Sequence, residues 1–321
     1  MRLRQLGRTG LKVSEIGFGA WGIGKGEWRR GEDNVSLQAL KTACDLQINF
    51  FDTALAYGMG HSEQLLAQAF GASNDVIIAS KVPPKNMAWP AKPETPLSQV
   101  FPKPYVLSSL DTTLKNLGRE WVDLYQFHVW TEEWAGHEEW LETVHQLRKS
   151  EKVHFVGISI NDHQPSNVLK ALGTGLIDAV QVIYNIFDQS PEDELFPYCA
   201  AHDIGVIARV PFDEGSLTGE VRPDTKFPSG DFRNEYFAGD RKEQVWDRIQ
   251  LLTRDMGISV NQLPQFALRF CLSNPVVSTV IPGMRKPRHA AENAAVSDMG
   301  PLQATTLEKL RRHRWSKNFY S

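Results

Sequence analysis

Four side chains that could together move a proton stand at or just after the ends of three short apolar runs. Asp52 follows the run 48–51, and Tyr57 comes five positions later. Lys81 and His128 stand at the ends of the next two runs. Such runs are too short for helices and are typical of buried strands. Because barrel enzymes keep their chemistry at the carboxyl ends of their strands, we expect these four residues to meet in one site.

The four residue types suit the donation of a proton to an oxygen that gains negative charge. We expect Asp52 to be the counter-ion of Lys81, and the Lys81 ammonium to lower the pKa of Tyr57 by stabilising the tyrosinate. His128 could orient a substrate oxygen through a hydrogen bond. The sequence shows no cluster with metal-ligand spacing, so we expect no metal site. The chemistry would therefore come from a cofactor or from a Schiff base on Lys81.

Composition narrows the class of protein. Of 321 residues, 41% are hydrophobic and 23% are charged, which is typical of an ordinary globular protein. The net charge of -3 argues against a nucleic-acid partner. No apolar run reaches the roughly 18 residues of a membrane span, and the amino terminus lacks the apolar segment of an export signal, so we expect a cytoplasmic protein with no membrane partner. We expect three buried, reduced cysteines within helices, namely Cys44, Cys199 and Cys271.

Strand and helix patterns alternate along the chain after a predicted hairpin around residues 7–10. The predicted strands are 15–18, 48–52, 76–81, 122–128, 153–159, 179–184, 206–209 and 277–281, and a helical pattern follows each of them. Eight such units predict an α/β fold, a single (β/α)8 TIM barrel domain over residues 1–321. A doubly wound open sheet gives the same alternation, but the count of eight and the even spacing favour the barrel.

Three long segments interrupt this alternation. Residues 82–104 are rich in proline and follow the third strand, and residues 211–240 follow the seventh strand and lead into an extra helix at 242–256. Both segments would lie on the active face, so we interpret them as walls of a pocket. The pattern of the third segment, 301–321, predicts a helix followed by an aromatic tail.

The sequence resembles the aldo-keto reductase superfamily, in its bacterial type. The opening R-Q-L-G-R-T-G-L-K-V-S-E-I-G-F-G, the segment F-D-T-A-x-x-Y-G, Lys81, His128 and the segment I-P-G-x-R…E-N occur in the order of that family. The resemblance implies reduction of an aldehyde or ketone, or oxidation of the alcohol, by hydride transfer with a nicotinamide. It implies that Tyr57 is the general acid, that Lys81 tunes it, that Asp52 holds Lys81, and that His128 positions the carbonyl.

The same resemblance implies a cofactor site. Ser159 and Gln181 match positions that bind the nicotinamide carboxamide, but Ile160 replaces the asparagine that usually follows the serine, and Asn161 stands one position later. Arg209 replaces the usual stacking tyrosine, and its planar guanidinium can also stack. The phosphates would lie across the loop after the seventh strand, where we name Pro211, Phe212, Gly215 and Leu217 as contacts.

The adenosine end of the cofactor would lie after the eighth strand. Arg285 and Lys286 follow Gly283 and open a helix, which favours the 2′-phosphate of NADP(H) over NAD(H). Glu292 and Asn293 match residues that contact the adenosine. For the substrate pocket we expect walls from Trp21, Trp89 and Trp130, with Trp315 as a possible addition from the tail. Such a pocket suits an apolar or planar carbonyl better than a sugar phosphate.

Two other functions stay open. One is a Schiff-base lyase that uses Lys81, which would not need the basic pair at 285–286. The other is a regulatory or sensor barrel that binds the cofactor with little turnover, a role known in the family. The complete set of four proton-handling residues argues against a sensor.

Overall fold

The chain begins with an antiparallel hairpin of two short strands, β1 (Leu3–Gln5) and β2 (Lys12–Ser14). The computed structural model of the chain describes residues 1–25, 32–71 and 73–315. Leu6, in the turn, is fully buried against inward-facing residues of the barrel strands that follow. The hairpin therefore closes the amino end of the barrel.

The barrel consists of eight parallel strands that pair in chain order. They are β3 (Phe18–Gly19), β4 (Phe50–Asp52), β5 (Ile77–Val82), β6 (Val122–Phe127), β7 (Val153–Ser159), β8 (Ala179–Ile183), β9 (Gly205–Arg209) and β10 (Val277–Val280). Val280 N donates a hydrogen bond to Glu15 O at 2.9 Å, and Gly17 N donates to Val280 O at 2.8 Å. These bonds join the last strand to the first and close the barrel. The predicted (β/α)8 fold with its hairpin is thus confirmed, and an open sheet is excluded.

Most of the helices cover the outside of the barrel. The helices are α1 (Asp33–Asp45), α2 (His61–Phe70), α3 (Leu97–Val100), α4 (Lys103–Leu117), α5 (Glu138–Lys149), α6 (Leu169–Leu172), α7 (Leu195–His202), α8 (Arg233–Tyr236), α9 (Arg241–Met256), α10 (Leu263–Ser273), α11 (Pro287–Ala294), α12 (Val296–Met299) and α13 (Ala304–Leu310). In α5, Trp140, Val144 and Leu147 are buried at the spacing of one helical face, which lies on the sheet. None of the described helices is long and apolar enough to cross a membrane.

The two long segments on the active face carry short helices of their own. Residues 83–102 connect β5 to α4 and contain α3, and residues 210–240 connect β9 to α9 and contain α8. Both segments leave the carboxyl end of a barrel strand, the end at which Asp52, Lys81 and His128 also lie. They are therefore placed on the same face of the barrel as these residues.

The cysteines differ in burial. Cys199 in α7 and Cys271 in α10 are buried, as expected, whereas Cys44 in α1 is exposed, so the expectation was wrong for this residue. Helical periodicity places Cys44 beside the buried Ala43 but on the outer face of α1. Burial raises the pKa of the Cys199 thiol to about 12.

We expect Gly7→Ala to destabilise the fold more than Gly10→Ala. Both glycines have positive φ, 48° and 76°, a conformation that costs an alanine about 1–2 kcal/mol. A Cβ at Gly7 would also lie 2.2 Å from the backbone nitrogen of Gly205, whereas no described atom lies within 4 Å of a Cβ at Gly10. This overlap should add about 1–3 kcal/mol to the loss in Gly7→Ala. Urea unfolding measures both losses, and equal losses would contradict tight packing of the hairpin.

Candidate active site

Lys81 is fully buried at the carboxyl end of β5, and its ammonium has three oxygen partners. Nζ donates to Asp52 Oδ1 at 2.6 Å, to the carbonyl oxygen of Thr53 at 2.8 Å and to the hydroxyl oxygen of Tyr57 at 3.2 Å. An ammonium has three N–H groups, so every donor is used. Because Tyr57 accepts this bond, its own hydroxyl hydrogen can point elsewhere, towards the open end of the barrel.

The charges of this cluster follow from burial and from the Asp52 carboxylate. Burial alone would lower the pKa of Lys81, but Asp52 and Tyr57 outweigh it, so the pKa is raised and the ammonium stays charged. Burial raises the pKa of Tyr57 more than Lys81 lowers it. The expected net lowering of the Tyr57 pKa is therefore wrong for this structure, since desolvation of the phenolate outweighs the nearby charge.

His128 faces Tyr57 at the barrel mouth. Their rings lie edge to face, with centroids 5.7 Å apart. Burial, followed by the charges of Lys81 and Arg209, holds the pKa of His128 well below its usual value. The imidazole is therefore neutral at pH 7 and can donate a hydrogen bond from one nitrogen.

The second oxygen of Asp52 is held by two glutamines. Gln181 Nε2 donates to Asp52 Oδ2 at 2.6 Å, and Gln126 Nε2 donates to the same oxygen at 3.4 Å. Gly157 leaves room for Gln126, because a Cβ there would lie 3.0 Å from Gln126 Cγ. The sequence interpretation missed Gln126. A signal was present, since a glutamine two positions before His128 shares its side of a strand.

Aromatic rings line the entrance above Tyr57 and His128. Trp89 lies edge-on to His128 at 5.8 Å between centroids, and Trp21 lies 6.3 Å from Tyr57. Phe232, from the segment before α8, packs on Trp21 at 5.2 Å. Phe232 was not expected from the sequence, because it is one of several aromatic residues in a long segment.

One tryptophan expected near the pocket lies in the core instead. Trp130 is fully buried and packs on Trp140 and Trp134, with centroids 4.9 and 5.7 Å away. Trp130 is therefore part of the core between barrel and helices and not a pocket wall. Trp315 packs edge-on against Phe187 at 5.7 Å, and residues 316–321 lie outside the described chain.

The residues expected at the nicotinamide lie on neighbouring strands. Ser159 and Gln181 are register partners in β7 and β8, and both side chains are buried. Arg209, at the end of β9, donates to the Ile160 carbonyl oxygen at 3.0 Å and forms an ion pair with Asp162. The guanidinium is thus fixed across the end of β7.

The side-chain amide of Asn161 faces the segment after β5. Its Oδ1 accepts a hydrogen bond from Ala91 N at 3.1 Å, and its Nδ2 donates to Ala91 O at 3.0 Å and to Gln164 Oε1 at 3.1 Å. The residue is 4% exposed. Its amide is therefore committed to the segment after β5.

The loop after β9 has an unusual backbone. Val210, Asp213 and Glu214 have positive φ values of 54°, 46° and 54°, and Gly215 has a φ of 107°. Such conformations are costly for residues with a Cβ and cluster at functional sites. Leu217 is fully buried. Pro211 is also buried, and Phe212 is partly exposed.

Of the two carboxyl groups of this loop, that of Asp213 is buried and that of Glu214 is partly buried. Asp213 accepts a hydrogen bond from the Tyr236 hydroxyl at 2.9 Å, and burial raises its pKa. Burial, followed by the charges of Asp213 and Asp162, raises the pKa of Glu214 to about 8. Glu214 is therefore mostly protonated at pH 7, which reduces the negative charge of the loop.

Basic residues stand where β10 leads into α11. Arg285 packs on Gly22, where a Cβ would lie 2.9 Å from its Cγ and Cδ. Lys286 and Gly283 are exposed. Glu292 is exposed and lies near Arg288, with 3.7 Å between Oε1 and Nε, and Asn293 is buried. No group of three or more metal-ligating side chains is present among the described residues.

Comparison with known proteins places these features in a family. The aldo/keto reductase family model matches residues 15–314. Aldo-keto reductase YhdN of Bacillus subtilis is 27% identical over 296 residues, which cover 89% of this chain and 86% of that protein. The NADH-specific methylglyoxal reductase of Escherichia coli is 26% identical over 327 residues, which cover 97% and 98%. The holo structure of aldo-keto reductase AKR11C1 from Bacillus halodurans is 25% identical, with a TM-score of 0.77 and coverage of 99% and 97%.

We expect Lys81→Met to lower the free energy of unfolding by about 3–5 kcal/mol, because it leaves the Asp52 carboxylate buried without its counter-ion. Adding Asp52→Asn to Lys81→Met removes that charge and should restore part of the lost free energy of unfolding. Lys152→Met is the matched control, since Lys152 pairs with Asp111 on the surface and should lose only about 0–1 kcal/mol. Urea unfolding at pH 7 measures all three. A Lys81→Met loss no larger than that of the control would contradict the structural role of the buried pair.

Proposed function

The chain belongs to the aldo/keto reductase family, and on that premise we propose that it is an NADP(H)-dependent oxidoreductase that reduces aldehyde or ketone carbonyls to alcohols. The observation that carries this proposal is the hydrogen bond from Lys81 Nζ to the Tyr57 hydroxyl oxygen, at 3.2 Å. It leaves the Tyr57 proton available to an acceptor at the barrel mouth. A partly exposed phenol beside a neutral imidazole suits a carbonyl oxygen as that acceptor.

The proposed roles follow from the contacts. A reduced nicotinamide, when bound, supplies the hydride for the carbonyl carbon. Tyr57 donates its proton to the carbonyl oxygen as negative charge develops there, and Lys81 stabilises the tyrosinate that remains. Asp52 keeps Lys81 charged and in place. His128, which is neutral, donates a hydrogen bond that orients the carbonyl. In the reverse direction the same groups would accept the proton of an alcohol.

The residues at the strand ends fit a nicotinamide cofactor. Ser159 offers a hydroxyl, and beside it Gln181 offers its amide oxygen, since its Nε2 is bonded to Asp52. Arg209 offers a planar cation, and a Cβ at Gly283 would meet no described atom within 4 Å, so the backbone there is approachable. The residues that we propose for cofactor binding are Ser159, Gln181, Arg209, Pro211, Phe212, Gly215, Leu217, Gly283, Arg285, Lys286, Glu292 and Asn293. Asn161 is not among them.

We expect Tyr57→Phe to bind NADPH as the wild type does but to lose about 10²-fold or more in kcat for an aldehyde. Binding is followed by tryptophan fluorescence and turnover by NADPH absorbance. Tyr198→Phe is the matched control, because Tyr198 stacks on His202 at the surface of α7. Wild-type binding without turnover of any aldehyde would instead favour a sensor barrel, and a protein that binds no nicotinamide would contradict the proposal.

The pH profile is a second readout of the same assignment. Burial raises the Tyr57 pKa above its usual value of about 10, so the phenol stays protonated at lower pH. The His128 pKa lies well below 6.5, so the imidazole stays neutral above that pH. We therefore expect a reduction rate that is level from about pH 7 to 9 and falls only above about pH 10. A fall centred near pH 7 would assign the proton donor to another group.

The preference for NADP(H) rests on the cations before α11. Lys286 is exposed, and Arg285 lies across Gly22 at the edge of the barrel mouth. A 2′-phosphate at this helix start would contact both charges. The family also contains an NADH-specific enzyme, so the preference needs its own measurement.

We expect Arg285→Ala combined with Lys286→Ala to weaken NADPH binding about tenfold or more and to leave NADH binding unchanged, because the lost contacts are to the 2′-phosphate. Arg311→Ala is the control, since Arg311 is an exposed arginine paired with Glu308 after α13. Titrations of both cofactors at one ionic strength provide the comparison. Equal weakening of NADPH and NADH would place these side chains at a different part of the cofactor.

A further inference from the structure

Asn161 holds the middle of the long segment between β5 and α4. Its Oδ1 and Nδ2 bond the N–H and the carbonyl oxygen of Ala91, in the manner of a neighbouring strand. Its Oδ1 also accepts a hydrogen bond from Trp130 N at 3.4 Å, and its Nδ2 also donates one to Gln164 Oε1 at 3.1 Å. Two donors and two acceptor sites are thus all used within a buried amide. Such a fully paired group holds its partners in one arrangement.

Other bonds hold the ends of this segment but not its middle. The Tyr105 hydroxyl donates to Pro83 O at 3.0 Å, and Trp134 Nε1 donates to Thr95 O at 2.9 Å. Of the described residues outside the segment, Asn161 alone hydrogen-bonds residues 86–94. The hydrogen bonds that tie this middle part to the rest of the described chain therefore all come from one side chain just after the end of β7.

The middle part carries the aromatic wall nearest to the reacting oxygen. Trp89, two residues before Ala91, lies edge-on to His128 at 5.8 Å. Trp89 is 44% exposed, and Met87, two positions earlier, is 50% exposed. An exposed tryptophan next to a hydrogen-bond donor for a carbonyl presents an apolar surface to whatever group the carbonyl bears.

We propose that Asn161 is a specificity-determining positioning residue, which fixes Trp89 so that the enzyme favours carbonyl substrates with a flat apolar group next to the carbonyl. This inference rests on the proposed reductase function. Asn161 acts through the backbone of Ala91 and does not touch the substrate. A small aliphatic aldehyde reaches His128 and Tyr57 but covers little of the Trp89 ring, so it should be insensitive to the position of that ring.

The test compares 4-nitrobenzaldehyde with propanal in Asn161→Ala, Trp89→Ala and the double variant. We expect Asn161→Ala to lower kcat/KM for 4-nitrobenzaldehyde about tenfold or more, mainly through KM, with propanal changed less than about twofold. Trp89→Ala should show the same loss of selectivity. The double variant should have a kcat/KM for 4-nitrobenzaldehyde no lower than that of Trp89→Ala, because both changes remove the same wall. NADPH affinity should be unchanged throughout.

The control is Asn167→Ala, which removes a bond to the Trp130 carbonyl oxygen at 2.9 Å and leaves both bonds to Ala91. Amide hydrogen exchange gives a readout without turnover: residues 86–94 should exchange faster in Asn161→Ala and not in Asn167→Ala. Asn161→Asp, which keeps the acceptor and loses the donor to Ala91 O, replaces Asn161→Ala if the latter does not fold.

Three outcomes would overturn the inference: an equal loss for both aldehydes, additive losses in the double variant, or unchanged exchange of residues 86–94. An equal loss would mean that Asn161 supports the whole site and not one wall. The failure of the proposed function looks different, because the wild type would then reduce neither aldehyde.

Discussion

The buried ammonium of Lys81 is the constraint on which the rest of the site depends. A charge withdrawn from water is stable only when each of its N–H groups meets an oxygen at short range. Asp52, the Thr53 carbonyl and Tyr57 supply these oxygens. All three come from β4 and the residues that directly follow it, so adjacent strands must hold a common register for the cluster to form.

Meeting this constraint also orients the proton donor. The Tyr57 oxygen accepts from Lys81, so the hydroxyl proton is left for a substrate. The second oxygen of Asp52 is bound by Gln181 and Gln126, which keeps its first oxygen turned to Lys81. Desolvation keeps Tyr57 protonated and His128 neutral. The same low-dielectric surroundings thus set the protonation states of Tyr57, which donates a proton, and of His128, which donates a hydrogen bond.

The loops of the active face solve a related problem, since long segments without regular structure must still satisfy their buried polar groups. Asn161 does this for Ala91 in the segment after β5, and in the loop after β9 the Tyr236 hydroxyl bonds one oxygen of Asp213. In that second loop the pKa of Glu214 rises to about 8, and Arg209 is paired with Asp162. The charges around the proposed cofactor path are therefore balanced largely within the chain.

The sequence alone was enough to predict the barrel, its hairpin and the position of Asp52, Tyr57, Lys81 and His128 at strand ends, because apolar periodicity and strand ends are local properties of the chain. It could not separate Trp89 from Trp130. Both follow barrel strands, yet Trp89 lies at the entrance and Trp130 lies in the core. Which position each takes depends on how the segment after its strand folds back over the helices. The tertiary structure alone brought Phe232 onto Trp21 and Asn161 onto Ala91, contacts between residues far apart in the chain. It also reversed the expected shift of the Tyr57 pKa, because the degree of desolvation is a property of the closed barrel and of no single strand.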